Sequence, residues 1–202
     1  MRRVCLVAIS LSVALGTAGA EAGPVKHVIV YNEPGRFAGW PANNGIWSWG
    51  DEIVVGFTLG YYKKKSGHPI DPDKPSVRQF ARSLDGGETW TIEQPSFLDE
   101  NGREPAPTEC PGGIDFTHPD FALMMRMQGS NAGYSSFYWS NDRCKTWQGP
   151  FKLPTFGRKG IFARTDYIVN GKHDLMAFMT AAKEEGGEGR PFCARTVDGG
   201  KT

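Results

Sequence analysis

Ser83 to Trp90 reads SLDGGETW, and the same octapeptide returns as SNDRCKTW at Ser140 to Trp147 and as TVDGGKT at Thr196 to Thr202. The shared pattern is [ST]-x-D-x-[GC]-x-T-W, and its starts at 83, 140 and 196 are separated by 57 and 56 residues. Such an interval suits one four-stranded blade of a β-propeller. The octapeptide also carries its own folding instructions. Asp85, Asp142 and Asp198 can accept hydrogen bonds from backbone N–H groups one to three residues on, and Ser83, Ser140 and Thr196 can satisfy other groups of a tight turn. Gly87 and Gly200 suit a positive φ, whereas Cys144 at the equivalent place predicts a strained or altered turn. Trp90 and Trp147 open the next strand with a large apolar anchor for the seam between units. An acidic residue beside glycines could also serve catalysis or calcium, but recurrence at equivalent places favours a scaffold role.

Composition agrees with a β-rich chain. The 202 residues include 26 Gly and 14 Pro, about a fifth of the sequence, which disfavours long helices. Basic and acidic residues number 23 and 22, so no excess of one sign points to nucleic acid or a membrane surface. Aromatics at 12% supply a core and exclude disorder as the default. Residues 1–20 read as a signal peptide, with Arg2 and Arg3 before an apolar run from Val4 to Leu15 and the small residues Ala18 and Ala20 before the cleavage point. That run is too short to span a bilayer, so the expected product is secreted or periplasmic. Three cysteines follow it, Cys110, Cys144 and Cys193, an odd number that leaves one bridge plus a free thiol, or none. No Cys-x-x-C occurs and the histidines are scattered, so neither a metal nor another cofactor is expected.

Around the turns, strands are expected at Gly45 to Trp49, Glu52 to Tyr61, Val77 to Ser83 and Thr89 to Glu93, then from about Asp115 through Phe121 to Met127, Ser135 to Ser140 and Trp147 to Lys152. A third unit runs from Phe162 through His173 to Ala182 and Arg190 to Thr196. Phe121 to Gln128 and Asp174 to Glu185 have helical propensity, but the repeat requires strands there.

The octapeptide resembles the Asp box of the secreted, bacterial-type sialidase-like (BNR-repeat) propellers, where it joins the third and fourth strands of a blade. The resemblance implies an all-β, six-bladed propeller of which about three blades are present, near 27–96, 113–154 and 160–202, as in a truncated or fragmentary chain. It also implies that function lies on the rim away from the Asp boxes. On that rim, YNEPGRFAGWPANNGIWSW resembles the approach to the first inner strand, where an arginine grips the carboxylate of sialic acid. Arg36 is the matching residue, although the family's Arg-x-Pro becomes Arg36-Phe37-Ala38 here. Asp71, in a proline-bounded loop with His68 and Ile70 nearby, matches the acid/base position. Asp115, His118 and above all Asp120 match the acid that meets the amide end of the sugar, and Arg164 a second carboxylate grip. Turn capping remains the alternative for these acids, and a solvated loop residue for Arg36. The implied activity is an exo-sialidase-like retaining glycosidase, whose tyrosine nucleophile and activating glutamate belong to later blades. The alternative is a non-catalytic propeller binding carbohydrate or protein.

Overall fold

The structure, a computed structural model, describes residues 25–127, 134–185 and 187–202. The expected signal peptide lies outside the described residues. Those described are all-β apart from one turn of helix and form three antiparallel sheets that do not close into a barrel. The first sheet contains β1 (Arg36–Gly39), β2 (Ile46–Trp49), β3 (Glu52–Tyr61), β4 (Val77–Ser83) and β5 (Thr91–Glu93). Its order is β3-β4-β5, with β1 and β2 both paired to the free side of β3. Between them α1 (Pro41–Asn44) bulges out opposite Gly56. A Cβ on Gly56 would stand 2.5 Å from the Asn44 carbonyl oxygen, so glycine is what lets α1 approach the strand. The second sheet is β6 (Ala122–Met127), β7 (Ser135–Ser140) and β8 (Gln148–Lys152), and the third is β9 (Ile161–Gly171), β10 (Asp174–Ala182) and β11 (Glu188–Thr196).

The two stretches with helical propensity are strands, for a reason visible in the packing. In β6 the side chains of Ala122 and Met124 enter a core shared with the first sheet, among Trp47, Phe80 and Trp147. Leu123 and Met125 enter a second core shared with Ile161, Leu175 and Met179 of the third sheet. A strand buried on both faces needs no alternation, which is why ALMMRM has none. β6 is also an edge strand, and side chains close that edge. Tyr167 Oη accepts from Leu123 N at 3.2 Å, Thr165 Oγ1 accepts from Met125 N at 3.1 Å, and Trp47 Nε1 donates to the Leu123 carbonyl at 3.3 Å.

The three octapeptides form one turn three times. Ser83 Oγ accepts from Gly87 N at 2.8 Å, Ser140 Oγ from Cys144 N at 3.0 Å, and Thr196 Oγ1 from Gly200 N at 2.9 Å. Each aspartate then binds the threonine four residues on through both its amide and its hydroxyl, as Asp85 does with Thr89, Asp142 with Thr146 and Asp198 with Thr202. Hydrogen bonds from Thr89 bring the Asp85 pKa down to about 2. The fourth residue donates its amide to a neighbouring turn in every copy: Gly86 to the Asp51 carbonyl at 2.9 Å, Arg143 to Asp120 at 3.1 Å, and Gly199 to His173 at 3.0 Å. Each octapeptide therefore sits at the end of its sheet where β3, β6 or β10 begins.

The second copy keeps the same turn with strain rather than altering it. Arg143 and Cys144 take φ values of 58° and 66°, where the other copies have glycine. The left-handed conformation costs roughly 1–2 kcal/mol per non-glycine residue. The aromatic anchors also differ from expectation. Trp147 is buried in the seam between the first and second sheets, whereas Trp90 is half-buried on the opposite face of the first sheet beside Phe57 and Leu59. The seam role read for Trp90 belongs to Trp147 alone. Cys110, Cys144 and Cys193 are all free thiols.

Candidate functional site

Strand direction assigns each candidate to one end of the sheets. β3 runs from Glu52 at the octapeptide end to Tyr61 at the far end, a distance of about 30 Å for ten residues. Tyr61 pairs with Arg36, and Thr58 pairs with both Gly39 and Arg78, so these residues stand at the far end. β6 starts beside Asp120 at the octapeptide end and finishes with Arg126 and Met127 at the far end. β9 runs the opposite way, and Arg164 lies in its far half.

Arg36 and Asp71 both adjoin Tyr61. Arg36 Nε donates to the Gly60 carbonyl at 3.0 Å, and its guanidinium lies 4.4 Å from the centre of the Tyr61 ring. The Tyr61 carbonyl accepts from Asp71 N at 2.8 Å. Desolvation pushes the Asp71 pKa up, but the Asp73 amide and the Lys63 ammonium, 3.2 Å away, outweigh it and leave the carboxyl more acidic than usual.

Asp115, His118 and Asp120 stand at the other end. Asp115 Oδ1 accepts from the amide and hydroxyl of Thr117, and the His118 imidazole Nδ1 accepts from Asp120 N at 3.2 Å. Asp120 Oδ1 accepts from Arg143 Nε at 2.6 Å. Arg143 also reaches Glu52 at 2.9 Å, and Glu52 and Glu93 both bind Arg82, so Asp120 belongs to an ion-pair network bracing the second octapeptide turn. These three residues stand at the opposite end of the sheets from Arg36 and Asp71.

The far end holds a group that sequence reasoning missed. A polar cleft of about 650 Å³ is lined by Thr58, Ser76, Arg78, Glu104, Arg126 and neighbouring residues. Glu104 is its hub, ion-paired to Arg78, accepting from Tyr138 Oη at 2.9 Å and lying 3.9 Å from Arg126. Burial lowers the Arg78 pKa to about 10, so it stays a cation at neutral pH, and its buried Nε has no hydrogen-bond partner. Burial likewise raises that of the Tyr138 hydroxyl, which remains a neutral donor. Arg126 is 9% exposed, and its NH1 donates to Asn44 Oδ1 at 3.3 Å. Next to it on α1, Asn43 Oδ1 accepts from Arg164 Nε at 3.0 Å. The available signal was Arg126 itself, the one charged side chain of a strand otherwise buried on both faces. Two cations around one carboxylate leave the cleft a net positive charge, suited to an anion. Among the described residues no cluster of His, Cys, Asp and Glu could hold a metal ion, and no helix is long and apolar enough to cross a membrane.

No protein-family model matches the chain, and none of the curated proteins matches it. Among solved structures it is similar to a glycosyl hydrolase from Bacteroides ovatus, at 18% identity and a TM-score of 0.37 over 73% of this chain. The match covers 50% of that hydrolase, so the chain spans about half its length.

Proposed function

We propose that the three sheets are blades of a six-bladed, sialidase-like propeller, and that the chain belongs to a secreted retaining glycosidase acting on terminal sialic acids or related acidic sugars. The observation that carries this reading is the cationic cleft of Arg78 and Arg126 at the sheet ends remote from three copies of one turn. An acidic monosaccharide offers the carboxylate such a cleft is charged to receive. Arg36 and Asp71 flank the same end, with Arg36 as a further carboxylate grip and Arg164 held at the margin through Asn43. For Asp71 to protonate a leaving oxygen, substrate must displace the groups that hold its pKa down, the Asp73 amide and the Lys63 ammonium. In this reading Asp115, His118 and Asp120 serve the scaffold.

The low pKa of Asp71 favours a second reading, in which the propeller binds acidic carbohydrate without cleaving it. Two measurements separate the two. Calorimetry of N-acetylneuraminic acid against its methyl ester asks whether the carboxylate is recognised, and a strong preference for the acid is expected. Equal binding of both, or of neither, overturns the acidic-sugar reading. Release of 4-methylumbelliferone from its sialoside by the protein asks about cleavage. Binding without release leaves the non-catalytic reading standing.

A further inference from the structure

We infer that Asn44 is a positioning residue for this site: a neutral bracket that aims the Arg126 guanidinium into the cleft without cancelling its charge. The inference rests on the reading that the cleft takes an anionic ligand. Asn44 is 2% exposed, and each hydrogen bond of its carboxamide has a purpose. Its Nδ2 donates to the Trp40 carbonyl at 2.8 Å and reaches Thr58 Oγ1 at 3.5 Å, which fixes the amide orientation. Its Oδ1 is then the atom presented to Arg126 NH1. The backbone is committed to this arrangement as well. Trp40 adopts φ 58° and ψ 48°, a left-handed conformation rare for a bulky side chain, and Pro41 starts the single helical turn that delivers Asn43 and Asn44 to the place where β3, β6 and β9 meet. Two adjacent asparagines thus receive arginines from two different sheets.

The choice of amide over carboxylate is the decisive chemistry. An aspartate at 44 would have the same shape and accept the same hydrogen bond with greater strength. It would also bring a second anion beside Glu104, making two carboxylates for Arg78 and Arg126 and leaving the cleft no net positive charge. A carboxamide orients the guanidinium and leaves its charge for the ligand. A purely structural asparagine would have no such requirement, since Asn44→Asp would then pair with Arg126 at no cost to binding.

The test compares N-acetylneuraminic acid with its methyl ester on the wild-type protein, Asn44→Asp, Asn44→Ala and Arg126→Gln, each checked for a native near-ultraviolet spectrum. Asn44→Asp is expected to lose the preference for the acid, by at least tenfold. Asn44→Ala keeps the charge but not the aim, so it should weaken the acid several-fold while retaining the preference. If Asn44→Asp does not fold, Arg126→Gln carries the same question, because it removes the charge being aimed and should abolish the preference. A wild-type preference for the acid that survives Asn44→Asp, or survives Arg126→Gln, refutes the inference and leaves the acidic-sugar reading intact. No preference in the wild type refutes that reading and the inference with it.

Discussion

Gly86 and Gly199 occupy the same place in two copies of one turn, with the same φ of +72°, yet alanine should affect them very differently. At Gly86 a Cβ would find only Asp51 Oδ1, at 3.6 Å, so Gly86→Ala incurs the left-handed conformation alone, about 1 kcal/mol. At Gly199 the same atom would stand 2.4 Å from Ile114 N and 2.6 Å from Gly113 N, both backbone. That segment must retreat, and it is bound at this point by Gly113 N to the Asp198 carbonyl at 2.9 Å and Ile114 N to the Gly199 carbonyl at 3.2 Å. Two hydrogen bonds at about 1 kcal/mol each, added to the conformational cost, give about 3–4 kcal/mol, before any loosening of the buried Ile114 side chain. Urea unfolding of the two variants followed by tryptophan fluorescence measures the difference directly. Losses agreeing within about 0.5 kcal/mol would show that 112–114 does not pack on the third turn, and the reasoning would fail. Arg143 gives an internal control, since it tolerates φ 58° at this position with a Cβ in place.

Trp147→Ala should destabilise the chain by about 3–5 kcal/mol in the same assay, as for a buried aromatic, and Trp90→Ala by about 1–2 kcal/mol because its ring is only half-buried. Equal losses would mean that the seam does not depend on Trp147. Acid should weaken the turns in a defined direction. The folded pKa values of Asp85, Asp142 and Asp198 lie below the unfolded value near 3.9, so their contribution is complete above about pH 4 and is lost as pH falls toward 2. The urea midpoint should therefore drop between pH 5 and pH 2, and a flat profile would contradict the hydrogen-bond pattern. Burial holds the Cys144 thiol protonated, so a thiol reagent at pH 8 should label exposed Cys193 first and Cys144 only on unfolding. Rapid native labelling of Cys144 would mean that the seam around Trp147 is open.

The strands were legible because the repeat overruled local propensity, and each of β3, β4, β7 and β10 stands where the interval requires it. β1 and α1 were not legible. The stretch Asn32 to Asn44 reads as a loop from Pro34, Gly35 and Pro41, and four-residue elements are too short to show a period. Asp120 stands at the octapeptide end for a topological reason. It directly precedes β6, which in the expected blade would be the inner strand and would start at the functional rim. In the structure 115–121 contains no strand, and the Asp120 carbonyl receives the octapeptide amide just as Asp51 and His173 do. Asp120 is therefore the counterpart of the turn before β3, one strand later than its position in the sequence implied. Glu104 and Arg78 carried no spacing signal at all, because their meeting depends on how the loop after β5 folds back over β4.

The two ends of the sheets handle their charges in opposite ways, and this division is what gives the far end its chemistry. At the octapeptide end Arg82 and Arg143 meet three carboxylates, those of Glu52, Glu93 and Asp120. Desolvation pushes the Glu52 pKa up, but hydrogen bonds from Arg143 and Arg82 bring it below its ordinary value, as befits an acid whose charge is fully used within the fold. That network also holds Arg143 in its left-handed place: Arg82 NH1 donates to the Arg143 carbonyl at 2.9 Å while the Arg143 side chain spans Glu52 of the first sheet and Asp120 of the second. Strain in the second turn is offset by stapling two sheets. At the far end the acids run short, with Glu104 alone between Arg78 and Arg126, and the remaining partner is the neutral amide of Asn44. Buried guanidinium groups are costly unless matched by anions. The fold surrounds its cations with surplus carboxylates at one end and withholds them at the other, and in the proposed reading the second set meets a charge that comes from outside.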